Sequence, residues 1–302
     1  MDRICLLDGG TGRELLRMGA PFAQPEWSAC ALIDGPQYVT RVHEAFVAAG
    51  ADVITTNSYA VVPFHLGQER FDAQGHRLAA LAGRLAREVA DRSSRPVLVA
   101  GGLPPVCGSY QADRFDARVA RPILATLVDA LAPTIDHWLA ETLSAVAEAE
   151  LVRDVIHASG KPLWLSFTIA EDRGPNAVAR LRSGEPVRDA VAAAVRLDAR
   201  AVLFNCSRPE VMGAAVSEAM AVLCADGSKR SRLPIGVYAN AFVPAEQPGE
   251  ANAELSGLRN DVVPAAYLAW AREWVARGAR IIGGCCGIGP EHIAALRNLH
   301  AS

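Results

Sequence analysis

Eight short apolar runs, each closed by small or polar residues and followed by a longer stretch with helical spacing, restrict this chain more than any other feature. They cover residues 4–8, 53–57, 96–100, 137–141, 163–168, 201–205, 235–239 and 280–283. Runs of that length rich in Val, Ile and Leu read as strands. The intervening stretches read as helices: 37–49 ends at Gly50, 76–90 is rich in Ala and Leu, 186–197 precedes the sixth run, and 264–276 opens on Pro264 and closes at Gly278. Strands alternating with helices give a parallel sheet of the α/β class, and eight such units close into a single (β/α)8 TIM barrel. Residues 1–302 are accordingly expected to form one barrel domain, with an open doubly wound sheet as the alternative. The polar stretch 245–260, with Pro248 and Gly249, reads as a long functional loop after the seventh strand.

The chain can fill such a fold, since 51% of its 302 residues are hydrophobic. Thirty basic and 33 acidic side chains leave a net charge of −3, and neither sign gathers into a run that would follow a phosphate backbone or a lipid surface. No nucleic acid and no membrane is therefore expected as a partner. Asp8-Gly9-Gly10 comes too early for a secretory apolar segment, and no stretch is apolar enough to span a bilayer, so the expected compartment is the cytoplasm.

A parallel barrel builds its active site where the strands end. The residues closing the runs are unusually reactive: Asp8-Gly9-Gly10-Thr11-Gly12, Thr55-Thr56-Asn57-Ser58, Glu141-Thr142, Asn205-Cys206-Ser207, Tyr238-Ala239-Asn240 and Gly283-Gly284-Cys285-Cys286-Gly287. Seven cysteines, an odd number without framework spacing, favour free thiols or metal ligands over disulfides. Cys5, Cys30, Cys107 and Cys224 read as small buried apolar residues. Cys285 and Cys286 differ because their glycine frame lets both sulfurs face one point. Alone, the pair would fit two core thiols or a vicinal disulfide equally well. Cys206 stands at the same rim, with only the seventh strand between. Three thiolates can then converge on a zinc ion that keeps a fourth position open for a reacting group. Such an electron-rich site is a poor activator of water but a good host for another thiol, which it would hold as thiolate. The expected chemistry is alkyl transfer to sulfur.

These motifs, in this order and across the whole chain, resemble the zinc-dependent homocysteine S-methyltransferases, which include betaine-dependent enzymes and the homocysteine module of methionine synthase. The resemblance is carried by Leu7 to Gly12, Ala51 to Tyr59, Glu141-Thr142, Phe204 to Ser207 and Ile281 to Gly287. It implies a barrel with zinc on Cys206, Cys285 and Cys286 and homocysteine contacts at Asp8, Gly9, Thr56 and Glu141. Two rim carboxylates also make independent sense, because an amino-acid substrate brings an ammonium that needs a paired anion once water is excluded. Read without the resemblance, Asp8 would cap a turn and Glu141 would be a charge at a helix start. Asn57, Asn205 and Asn240 fit an orienting or a structural role alike.

The implied reaction is attack of the homocysteine thiolate on a methyl group of a cationic sulfonium or ammonium donor. Trp27, Tyr59, Phe64, Tyr110 and Tyr238 are candidate faces for that cation. The sequence departs from the family pattern at Ala239, where proline is usual, and at Ala60, where betaine-dependent relatives have tyrosine. With Gly102-Leu103-Pro104-Pro105 and Ser109-Tyr110, this favours S-methylmethionine or S-adenosylmethionine over betaine, with another thiol or a selenol as the alternative acceptor. A metal-free redox enzyme built on Cys285 and Cys286 is the reading from another class.

Overall fold

A computed structural model describes residues 3–171, 178–225, 233–243 and 257–301. Most of the expected loop 245–260 lies outside the described residues. Eight parallel strands are joined by helices: β1 (Cys5–Leu6), β2 (Val53–Thr55), β3 (Leu98–Leu103), β4 (His137–Leu143), β5 (Leu163–Phe167), β6 (Ala201–Asn205), β7 (Ile235–Tyr238) and β8 (Ile281–Ile282). They run β1-β8-β7-β6-β5-β4-β3-β2. A parallel bridge between Leu7 and Val53, with Asp8 N–H donating to the Val53 carbonyl at 3.0 Å, joins the outer two. The eight strands therefore form a (β/α)8 barrel, and the open sheet is set aside.

The first crossover carries α1 (Thr11–Arg17), α2 (Ala29–Asp34) and α3 (Pro36–Ala49), and the second α4 (Pro63–Leu66) and α5 (Gln68–Arg92). Then come α6 (Ala117–Leu131), α7 (Val146–Ile156), α8 (Val187–Arg196), α9 (Pro209–Ala225), α10 (Pro264–Arg277) and α11 (Pro290–Leu296). Proline opens α3 and α10, where its missing N–H costs nothing. Gly50, at φ 113°, ends α3 in a left-handed turn.

Side chains alternate along each strand, and the core divides accordingly. Val202 and Phe204 point outward with the large helix-facing core, whereas Ala201 and Leu203 join Leu7, Val53, Ala100, Leu139, Tyr238 and Ile281 in a smaller cluster made of strand residues, the filling of the barrel. Two strands outrun their expected ends. β3 continues through Gly101 and Gly102, which read as a stop but serve as clearance. A methyl group at Gly101 would lie 2.6 Å from Ile135 and 3.0 Å from the Trp138 ring, and one at Gly102 would lie 3.0 Å from Glu141 Oε1. β4 continues to Leu143 with its register broken between Ala140 and Leu143. Glu141 therefore sits inside a strand at a bulge, not at a helix start. Among the four cysteines expected to be buried, Cys30 is buried, Cys5 and Cys107 are half-buried, and Cys224 is exposed at the end of α9.

Candidate active site

Cys206 follows β6 directly, at φ 50°, a left-handed conformation that costs a residue with a side chain. Its N–H donates to the Tyr238 carbonyl at 3.2 Å, and Cys285 N–H donates to the Ala239 carbonyl at 2.9 Å. The end of β7 thus stitches together the two loops that carry the thiols. Glycine permits the approach: a Cβ at Gly10 would lie 2.6 Å from the Cys285 carbonyl oxygen, and one at Gly284 would lie 2.2 Å from Ile288. Cys285 Sγ lies 2.8 Å from Cys206 Sγ, Cys286 Sγ lies 3.9 Å from it, and all three fall within 4.8 Å of one another. Among the described residues no other group of three or more His, Cys, Asp or Glu side chains is placed to hold a metal. Three thiols are a soft donor set suited to a thiophilic divalent ion.

Electrostatically the cluster behaves as a unit. Hydrogen bonds with Cys285 and Cys286, and one from the Tyr110 hydroxyl, hold the Cys206 thiol well below its ordinary range against the opposing effect of burial. Cys285 and Cys286 are pushed well up, first by their hydrogen bonds to Cys206 and also by burial.

The sulfurs face a cleft of about 790 Å³, measured to its open mouth. Asp8 is buried and accepts from Thr55 N–H at 2.7 Å and Thr55 Oγ1 at 3.1 Å. Burial lifts its carboxyl to about 7 despite those bonds. Glu141 lines the cleft, and burial, then the charges of Asp8 and Cys206, lift it to about 8. Carboxyls so placed favour their protonated form more than exposed ones do, and a cation brought beside them would reverse that shift. Gly9 lies on the cleft wall, where a Cβ would meet the Ile288 carbonyl oxygen at 2.2 Å. Thr56 also lines the wall, but its hydroxyl already accepts from Gly102 N–H at 3.0 Å and pairs with Ser58 Oγ at 2.9 Å.

Five non-glycine residues have positive φ among the described residues, and four of them, Trp27, Tyr110, Thr142 and Cys206, line this cleft. Such concentration of strain marks functional sites. Of the five candidate aromatic faces, Trp27, Tyr59, Tyr110 and Tyr238 line the cleft and Phe64 does not. Asn57, Asn205 and Asn240 act on the scaffold. Asn57 donates to the Ser28 carbonyl, and Asn240 accepts from Phe242 N–H. Asn205 accepts from Thr142 N–H and Ser166 Oγ and donates to Thr142 Oγ1. Two arginines escaped the sequence reading. Arg13 lines the cleft one residue past the glycine turn, a position the motif could have flagged. Arg182 stacks 4.4 Å from the centroid of the Tyr110 ring, and nothing in its surrounding sequence marks it.

Comparison with known proteins agrees with this geometry. A family model described as homocysteine S-methyltransferase matches residues 5–300. The homocysteine S-methyltransferase of Escherichia coli (strain K12) is 29% identical, over 97% of this chain and 94% of its own. The selenocysteine methyltransferase of Astragalus bisulcatus is 25% identical, over 99% of this chain and 93% of its own. The metallated form of the homocysteine methyltransferase MmuM from Escherichia coli has a similar structure, with TM-score 0.75 and 27% identity over 99% of this chain and 96% of that one.

Proposed function

This chain belongs to the homocysteine S-methyltransferase family and is a methyltransferase enzyme, and from that premise we propose that zinc held by Cys206, Cys285 and Cys286 serves methyl transfer to homocysteine from S-methylmethionine or S-adenosylmethionine. The observation that carries the reading is the meeting of three sulfurs and the Glu141 carboxyl on one cleft, with the buried Asp8 carboxyl near enough to act on Glu141 through its charge. The donor set fits zinc. A thiolate tetrahedron with bonds of about 2.3 Å has edges of about 3.8 Å. The Cys206–Cys286 separation of 3.9 Å matches that edge. The Cys206–Cys285 separation of 2.8 Å is about 1 Å shorter than that edge, so these two sulfurs would have to move apart to share one tetrahedral ion. When bound, zinc supplies the positive charge that keeps a thiol ionised below its free pKa of about 8.5.

The remaining work falls to the chain. Asp8 and Glu141 bind the ammonium of homocysteine, giving up their protons as they do so, and Thr55 fixes the Asp8 carboxyl by two hydrogen bonds. Gly9 lets the loop after β1 pack against Ile288 and Phe46 at the cleft wall, and Thr56 holds β2 to β3 beside it. The aromatic wall of Trp27, Tyr59, Tyr110 and Tyr238 excludes water and suits a sulfonium cation. Acceptor and donor are thus held together where opposite charges vanish on reaction, a change that a dry site favours.

The test is to incubate zinc-loaded protein with homocysteine and each of S-methylmethionine, S-adenosylmethionine and betaine, then detect methionine by mass spectrometry. Methionine from a sulfonium donor is expected. Turnover with betaine alone would overturn the donor assignment, and full methyl transfer by metal-free protein would overturn the role given to zinc.

A further inference from the structure

On the reading that the three cysteines hold zinc, the cleft presents a methyl donor with several competing sulfur nucleophiles, three of them belonging to the protein. Attack by a cysteine would form its S–CH3 bond as the donor's C–S pair departs on a neutral thioether. No proton moves, and the cysteine becomes an uncharged thioether, a poor zinc ligand. An enzyme of this kind needs a device that directs the methyl group to the acceptor.

Tyr110 supplies one. Its hydroxyl donates to Cys206 Sγ at 2.9 Å. The guanidinium of Arg182, itself ion-paired to Glu171 at 3.5 Å, lies over the phenol ring. A cation on the ring face draws electron density from the phenol and strengthens its O–H as a donor. A hydrogen bond to a thiolate withdraws charge from sulfur, and partners of this kind tune what a metal ligand can do. Among the described residues the Cys285 sulfur has only the other two sulfurs as hydrogen-bond partners, so it serves as an internal reference.

We propose that Tyr110, backed by Arg182, is a positioning residue that lowers the nucleophilicity of the Cys206 sulfur and so steers methylation away from the protein's own ligand.

The test treats zinc-loaded wild-type and Tyr110→Phe proteins with methyl iodide in the absence of acceptor, follows S-methylation at Cys206 and Cys285 by peptide mass spectrometry, and measures bound zinc in parallel. The variant is expected to methylate Cys206 roughly tenfold faster, the worth of one net hydrogen bond, with little change at Cys285. In the cobalt-substituted protein its thiolate-to-metal charge-transfer bands should move to lower energy. Arg182→Met keeps the hydroxyl and should move rate and bands less, in the same direction. Unchanged Cys206 rate and cobalt bands in a zinc-bearing Tyr110→Phe protein would overturn the proposal. If Tyr110→Phe does not fold, unchanged bands in Arg182→Met would do so. Failure of wild-type protein to hold zinc through its cysteines would instead remove the underlying metal reading.

Discussion

Glu141 stands in β4 with Asp8 and Cys206 as the charges that act on it, and its carboxyl is lifted to about 8. A carboxyl raised on folding keeps its proton in the native protein while the unfolded chain releases it, so stability falls as pH climbs from about 4.5 to about 8. Glu141→Gln never ionises and should escape that loss. Without substrate it is expected to melt higher than wild type at pH 8.5, by the equivalent of up to about 5 kcal/mol, and at the same temperature near pH 4. On the proposed pairing of Glu141 with the substrate ammonium, the same change should raise KM for homocysteine roughly tenfold to a hundredfold. Thermal melts at the two pH values and initial-rate kinetics check both halves, and a variant that gains no stability would refute the buried-acid account. Cys206→Ala, Cys285→Ala and Cys286→Ala should each lose most bound zinc and all activity while the far-UV circular dichroism of the barrel persists. Elemental analysis of the purified variants decides this, and a variant that keeps zinc and turnover would not carry a ligand.

Asn205, at the end of β6, binds Thr142 through two hydrogen bonds and Ser166 through a third, all buried. It thereby holds the left-handed Thr142 beside Glu141 and keeps the bulge of β4 open toward the cleft. Asn205→Ala would take a partner from the buried Thr142 N–H and from two buried hydroxyls, at a cost of about 3 kcal/mol, and would raise KM for homocysteine more than it lowers kcat. Denaturant unfolding and steady-state kinetics measure the two effects. The reach of β3 and β4 was the part of this region hidden in the sequence. Gly101-Gly102 has the look of a terminator, and its purpose, making space for Trp138 and Glu141, depends on what the neighbouring strand places opposite. The reactive rim itself was legible, because Asp8, Thr56, Glu141, Cys206, Cys285 and Cys286 each lie at or just beyond an apolar run, where a parallel barrel must put its chemistry. Arg182 was not legible, since a residue between β5 and α8 reaches Tyr110 only through the packing of loops that no local pattern encodes.

At the level of the whole molecule, the order of the strands leaves β1 and β2 as the last pair to meet. Their union rests on one backbone bridge, Leu7–Val53, the Asp52 N–H donating to the Leu6 carbonyl at 2.7 Å, and side-chain bonds: Leu6 N–H to the Asp52 carboxylate and Thr55 N–H and hydroxyl to Asp8. The comparisons span this entire architecture, and among the described residues no helix is long and apolar enough to cross a membrane. One clasp of the cylinder is therefore Asp8, the group proposed above to meet the ligand. An unfilled barrel should breathe first along this slit, and a bound amino acid, by leaving Asp8 anionic, should cinch it. Deuterium uptake at the Thr55 amide is expected to slow when homocysteine is added and to stay unchanged for amides buried between β5 and β6. Equal slowing in both places would mean that occupancy stiffens the vessel evenly, with no hoop at its first stave.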